Sequence, residues 1–245
     1  MEIASTAGGM GVLLGSVVKS AARLDVDAVE WKRAMYKMGV RSIPVVVLTA
    51  LFTGSLMVVQ AAPVVKRYGA EQLLGWGAGF GTLREIGPLL TALMISGRVG
   101  ANNTAELATM VVTEQVDALR ALAIDPIGFL VAPRVIAIVE TLLIATIYAD
   151  AIALLGAAAA GQLLVGTTPH AFYLGLTGGL LSMGDVVHGL VKSVVFGLMI
   201  ALSSCHFGLS VTGGAVGVGR AVNATVVASA AGIFVLDYLV SFLLG

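Results

Sequence analysis

The chain has 245 residues, of which 58% are hydrophobic and only 11% charged, and its 14 basic and 14 acidic residues cancel to a formal net charge of zero. Soluble domains carry roughly 25% charged residues, so an ordinary soluble domain is excluded, and the balanced charge gives no footing for a nucleic-acid partner. The apolar runs are continuous rather than alternating, which excludes an outer-membrane barrel and points to an all-α polytopic membrane protein whose helices satisfy their own backbone hydrogen bonds.

Residues 1–20 are Gly-rich and weakly apolar and carry no firm assignment. No compact signal-peptide pattern stands there, so insertion through the chain's own membrane helices is expected. Residues 21–42 mix Leu24, Val26, Ala28, Val29, Trp31, Met35, Met38 and Val40 with Arg23, Lys32, Arg33, Lys37 and Arg41. Two readings stay open, a helix lying at the cytoplasmic interface and a basic flank before a span. Both make 1–42 an N-terminal interfacial segment and 43–245 the membrane domain.

Five spans are predicted, at about 43–65, 73–96, 133–165, 187–208 and 222–244, each long enough for the ~20 residues a bilayer needs. The second is not a plain lipid-facing span. It contains Gly75, Gly77, Gly79 and Gly81, read as small residues for close helix packing, and also Arg84, Glu85 and Pro88. Residues 97–128 are polar enough for a loop with short helices, 166–185 form a Gly/Thr/Ser-rich connection, and 209–220 a Gly-rich loop ending in Arg220. Most basic residues outside the spans fall on the side of the N-terminus, and only Lys66 and Arg67 on the other. That asymmetry predicts a cytoplasmic N-terminus and, after five spans, a periplasmic C-terminus. No internal repeat is evident, which argues against an inverted-repeat secondary transporter.

Charged groups within lipid cost several kcal/mol each unless paired or facing a cavity. Arg84, Glu85, Lys192 and Asp237, with Arg220 at a span's edge, are therefore the candidate functional charges. They fit two readings: ion pairs that fix helix register, and the lining of a polar pocket. Glu140 and Asp150 fit solvated positions near the ends of the long third span. The segment from Thr113 to Leu119 is short and charged and is followed by the turn signal Asp125-Pro126. It reads equally as a surface helix and as a solvated loop. The glycines lack the G-x-x-x-x-G-K-[ST] pattern, so the chain carries no P-loop. His170, His188 and His206 lack metal-ligand spacing, and the single Cys205 reads as a small core residue.

Several separate motifs in order carry a resemblance over nearly the whole chain beyond the interfacial segment. They are R-E-I-G-P-L-L-T-A-L at 84–93, G-R-V-G-A at 97–101, A-E-L at 105–107, T-E-Q-V-D-A-L at 113–119 and D-P…P-R at 125–134. Lys192 to Gly197, Gly213 to Arg220, Val227 and Asp237-Tyr238 follow. Together they resemble the MlaE (YrbE) family, the permease subunits of Mce-type ABC phospholipid transporters. Two departures stand out: Asn102-Asn103-Thr104 where relatives usually carry small apolar residues, and Leu107-Ala108-Thr109 for a common Leu-Gly-Thr.

The resemblance implies five membrane helices, an N-terminal interfacial helix and a cytoplasmic coupling helix, in a bacterial inner membrane. It implies a second permease copy, a cytoplasmic ABC ATPase dimer that binds ATP and Mg, and a periplasmic Mce-domain protein. It also admits a small cytoplasmic STAS-domain subunit. The chain itself is then no enzyme and holds no cofactor or metal. Carried over by position, Arg84, Glu85, Met57, Gln60 and Val64 are the implied phospholipid contacts. Glu85, Lys192, Arg220 and Asp237 are the implied intramembrane charge network, and Glu114, Gln115, Asp117, Ala118 and Leu119 the implied ATPase-coupling residues. A membrane anchor for a periplasmic lipid-binding protein, without transport, is the alternative, as is a transporter or channel acting alone.

Overall fold

The computed structural model of the chain describes residues 2–22 and 27–244; Arg23, Leu24 and Val26 of the expected interfacial segment lie outside the described residues, as does Gly245. Eleven α-helices follow in order among them: α1 (Glu2–Ala22), α2 (Ala28–Met38), α3 (Ile43–Tyr68), α4 (Leu74–Gly81), α5 (Gly87–Ile95), α6 (Ala101–Val112), α7 (Gln115–Ala121), α8 (Ala132–Val165), α9 (Pro169–Thr177), α10 (Met183–Leu209) and α11 (Gly214–Leu244). No strand occurs among the described residues.

Four stretches among the described residues are long and apolar enough to cross a membrane: Ala28–Tyr68, Ile127–Val165, Met183–Leu209 and Gly214–Leu244. The chain is thus an all-helical membrane protein. The second expected span, 73–96, is not among the four. It is helical, but it runs as α4, a π-turn at Thr82–Ile86, α5, a π-turn at Ser96–Gly100 and then α6. Arg84, Glu85, Pro88 and Arg98 sit along it and lower its hydropathy.

Local chemistry sets several boundaries. The Asp27 side chain caps α2 by accepting from the Val29 and Glu30 amides. Thr168 caps α9 in the same way, with Pro169 in the first turn, where its missing N–H costs nothing. Residues 2–20, within the stretch the sequence leaves unassigned, form most of α1. Its Val17 and Ser20 are buried, and it packs on the segment Ile127–Val131.

The chain divides into two compact units. One comprises residues 1–42, 92–142 and 194–239; the other comprises 43–91, 143–193 and 240–245. In the first unit, Ile95, Leu107, Val131, Ile138, Phe196 and Ile200 form a core with at most 1% exposure. In the second, Val58, Leu74, Ala78, Ala157, Ala160 and Phe172 form the main apolar cluster. Small residues bring helices together there. A Cβ on Gly54 of α3 would overlap the Ala153 carbonyl of α8, and one on Gly156 of α8 would overlap the Leu51 carbonyl of α3. Ser55 donates to the Gly156 carbonyl at 3.1 Å across the same crossing. The glycines of α4 do not all share a face. Gly75 and Gly79, four apart, meet Phe172 and Leu176 of α9, whereas Gly77 has open space beside it, as 3.6-residue periodicity dictates.

Candidate functional site

The charged block of the second unit is built on a widened helical turn. Pro88 has no N–H, and its ring would clash with the carbonyl four residues back, that of Arg84. The chain relieves this over Thr82–Ile86, where the Gly87 amide donates to the Thr82 carbonyl, five residues back. The same arrangement precedes Pro133, with the Ala132 amide donating to Ile127. Such π-turns re-aim side chains and occur frequently at functional sites.

From this turn Glu85 accepts from the Lys192 ammonium of α10, and Lys192 is completely buried. Arg84 donates to the Asp185 carboxylate at 3.1 Å and lies 5.4 Å from the Phe80 ring centroid, a cation–π distance. Asp185 is fixed from its own side by the Ser182 amide and hydroxyl, each at 2.9 Å. Glycine makes the approach possible. A Cβ on Gly189 of α10 would overlap the Leu83 carbonyl, and one on Gly87 would overlap the Asp150 carboxylate. Asp150, expected to be solvated near a span end, is instead 6% exposed against Gly87. Asp185, His188 and Asp150 are members of this polar cluster that the sequence reading did not single out as site residues; only the turn and the close approach bring them together.

A cavity of about 240 Å³ lies beside the same unit's apolar cluster, lined among others by Met57, Ala61, Val65, Leu74 and Trp76. The Trp76 indole N–H is buried and has no acceptor among the described residues. Met57 also accepts from the Thr82 hydroxyl through its sulfur at 3.5 Å. Gln60 and Val64 do not line this cavity; both lie exposed on α3.

In the first unit, Asn103 and Thr104, the departures noted in the sequence, are fully buried and hydrogen-bonded. Asn103 donates to Ser204 at 2.9 Å and accepts from Arg134 at 3.1 Å. Thr104 meets Thr225 at 2.8 Å. Arg134, 6% exposed, also reaches Glu30 and Glu106 at 3.7 and 3.5 Å. Glu140 accepts from the Trp31 indole at 2.8 Å rather than standing in solvent. These polar contacts tie α2 to α6 and α8.

The segment Glu114–Leu119 forms the start of α7. Glu114 enters at φ 59°, and Ala123 leaves at φ 59°. The Ala123 amide donates to Arg120 and the Ile124 amide to Leu119, the paired bonds of a Schellman turn. Gln115, Asp117 and Ala118 are exposed, Leu119 is half-buried and Val116 is buried. Asp117 pairs with Arg120 at 2.9 Å. Leu122, 71% exposed, adds an apolar side chain to this tip. Arg220 and Asp237 both lie on α11, about 25 Å apart along its axis, so they do not pair directly with each other. The Arg220 guanidinium lies against Gly213. Among the described residues no group of three or more His, Cys, Asp or Glu is placed to hold a metal ion.

Residues 31–243 match the model of the family described as Permease MlaE. A probable ABC transporter permease protein of Rickettsia typhi is 41% identical over 212 residues, 86% of this chain and 82% of its own length. A probable ABC transporter permease protein of Synechocystis is 39% identical, over 86% of this chain and 80% of its own. The intermembrane phospholipid transport system permease protein MlaE of Haemophilus influenzae is 29% identical, over 85% of this chain and 80% of its own.

Proposed function

The chain belongs to the MlaE permease family, and we propose that it is the membrane subunit of an ABC transporter that moves phospholipid between the inner membrane and a periplasmic Mce-type partner. Its N-terminus is cytoplasmic and its C-terminus periplasmic in this reading. It works as a pair of copies, and ATP is hydrolysed by separate ATPase subunits. A small STAS-domain subunit completes the cytoplasmic side.

The observation that supports this best is the pairing of an apolar cavity with a polar cluster in one unit. The cavity walls of Met57, Ala61, Val65 and Leu74 suit acyl chains, and the buried Trp76 N–H suits an ester carbonyl. Arg84, held by Asp185 over Phe80, suits a headgroup phosphate through its planar donors. Glu85, neutralised on one side by Lys192, suits the headgroup's cationic end. Gln60 and Val64, exposed on α3, suit the surface facing the second copy and the lipid between the copies. Charges kept within a membrane protein in this way have a use beyond anchoring. The exposed α7 tip suits a groove on the ATPase, whose closure on ATP would move it.

The test is co-expression with the neighbouring ATPase and periplasmic subunits, purification, and mass spectrometry of bound lipid. Wild type is expected to retain phospholipid and ATPase, Arg84→Ala to lose the lipid with the complex intact, and Glu114→Arg to lose the ATPase. Wild type that carries neither would favour the anchor reading.

A further inference from the structure

A second cavity, of about 270 Å³, lies in the first unit and is lined by Lys37, Met38, Arg41, Arg98, Val99 and Asn102. Met38 and Val99 are buried and form its floor. The rest of the lining is three cations and one amide, with no acid. Lys37 pairs with Glu106, which also accepts from Asn102 and faces Arg134. Neither Arg41 nor Arg98 forms an ion pair among the described residues. Both are exposed. Two guanidinium groups thus stand at one mouth without counter-charge, although Glu106 is close enough to neutralise Lys37.

The position in the chain says what the mouth faces. Arg41 lies two residues before the apolar helix α3. Arg98 sits in the π-turn that opens α6. Beside them the basic helix α2 and the turn after it expose Tyr36 at 62% and Val40 at 49%. Exposed aromatic and aliphatic groups interleaved with Lys and Arg are the pattern of a segment seated at the membrane interface. Basic pockets at that depth hold anionic headgroups, and planar Arg donors match phosphate oxygens two at a time.

The geometry points to a phosphate-binding site at Lys37, Arg41, Arg98 and Asn102 that holds the headgroup of an anionic phospholipid, apart from the cavity at Met57 and Trp76. The apolar floor of Met38 and Val99 takes the glycerol end, and Tyr36 and Val40 lie along the tails. The site needs only a membrane with anionic lipid and does not depend on transport.

The full chain, purified in detergent, is titrated with phosphatidylglycerol and with phosphatidylcholine of the same acyl chains, and bound lipid is counted by native mass spectrometry. Wild type is expected to prefer phosphatidylglycerol by about tenfold, and Arg41→Gln with Arg98→Gln to reduce that preference to near unity, roughly threefold lost per Arg. Arg41→Lys with Arg98→Lys keeps the charge and retains most of it. The wild-type preference falls as salt is raised from about 0.05 to 0.5 M, because the groups are exposed. This arm reads the site even where a variant folds poorly. Inorganic phosphate alone, followed by thermal shift, separates the sources; stabilisation equal to that by phosphatidylglycerol overturns the lipid assignment. Unchanged preference in the Gln variant overturns the site.

Discussion

Lys192 donates its ammonium to Glu85, and the two ends of the pair differ in burial: the Lys192 side chain has no exposed surface, while that of Glu85 is 39% exposed. The asymmetry predicts unequal costs. Glu85→Ala takes this carboxylate away from a completely buried ammonium, a larger loss than removal of one partner from an exposed pair. Lys192→Met leaves a carboxylate that water still reaches, with a loss nearer 1 kcal/mol, as for exposed pairs. Thermal denaturation in detergent should therefore rank Glu85→Ala as the less stable variant. Equal losses would mean that the open side of Glu85 meets lipid rather than a hydrated cavity, and would remove its proposed part in headgroup binding.

Arg84 is held by two features that a lysine does not reproduce together. Its guanidinium donates to Asp185 while lying over Phe80, and the flat, delocalised cation suits both. Arg84→Lys keeps the charge and is expected to lower lipid transport in a reconstituted complex by about tenfold, the effect of losing a contact of roughly 1.4 kcal/mol. Phe80→Leu is expected to weaken transport less, because the ion pair to Asp185 remains. Full transport by Arg84→Lys would reduce Arg84 to a point charge that fixes helix register.

The close approach of α10 to the Leu83–Pro88 turn rests on one missing methyl. A Cβ on Gly189 would overlap the Leu83 carbonyl oxygen, a backbone atom with no rotamer to change. Gly189→Ala therefore forces the helices apart and is expected to destabilise the protein by about 1–3 kcal/mol, as overpacking does. Gly77→Ala, on a helix face with open space, gains about 1 kcal/mol of helix propensity instead. The two Gly→Ala variants should shift the melting temperature in opposite directions. A neutral Gly189→Ala would show that the turn moves freely and that its geometry does not position Arg84 and Glu85.

How much of this was legible in the sequence follows from what each feature depends on. The apolar runs that became α3, α8, α10 and α11 depend on composition alone, and composition placed the first three to within about four residues, whereas α11 begins at Gly214, so that most of the stretch expected as a Gly-rich loop ending in Arg220 is helical. The second expected span depends on where Pro88 puts its ring and on how the chain answers. A five-residue hydrogen bond at Thr82–Ile86 has no composition of its own. The pairing of Glu85 with Lys192 and of Arg84 with Asp185 joins positions about a hundred residues apart, and order along the chain does not specify partners. Asp150 looked solvated because its neighbours in sequence gave no hint of Gly87 beside it. Asn103 and Thr104 read as departures from a pattern, and their buried bonds to Ser204, Thr225 and Arg134 show what that polar pair contributes locally.

The tip at α7 carries the last prediction. Ala123 closes the helix in the left-handed region at φ 59°, where an L-residue costs about 1–2 kcal/mol and glycine does not. Ala123→Gly keeps the Schellman bonds of Ala123 and Ile124 and is expected to stabilise the protein by about 0.5 kcal/mol after the added freedom of the unfolded chain is subtracted. Leu122→Asp, at a 71% exposed position, has no internal packing to lose, so its melting temperature should match wild type. If the tip docks on an ATPase through Leu122, that variant loses the co-purified ATPase while Ala123→Gly retains it. Retention by both would move the contact away from this face of α7 and leave Glu114 and Asp117 as the coupling residues to test.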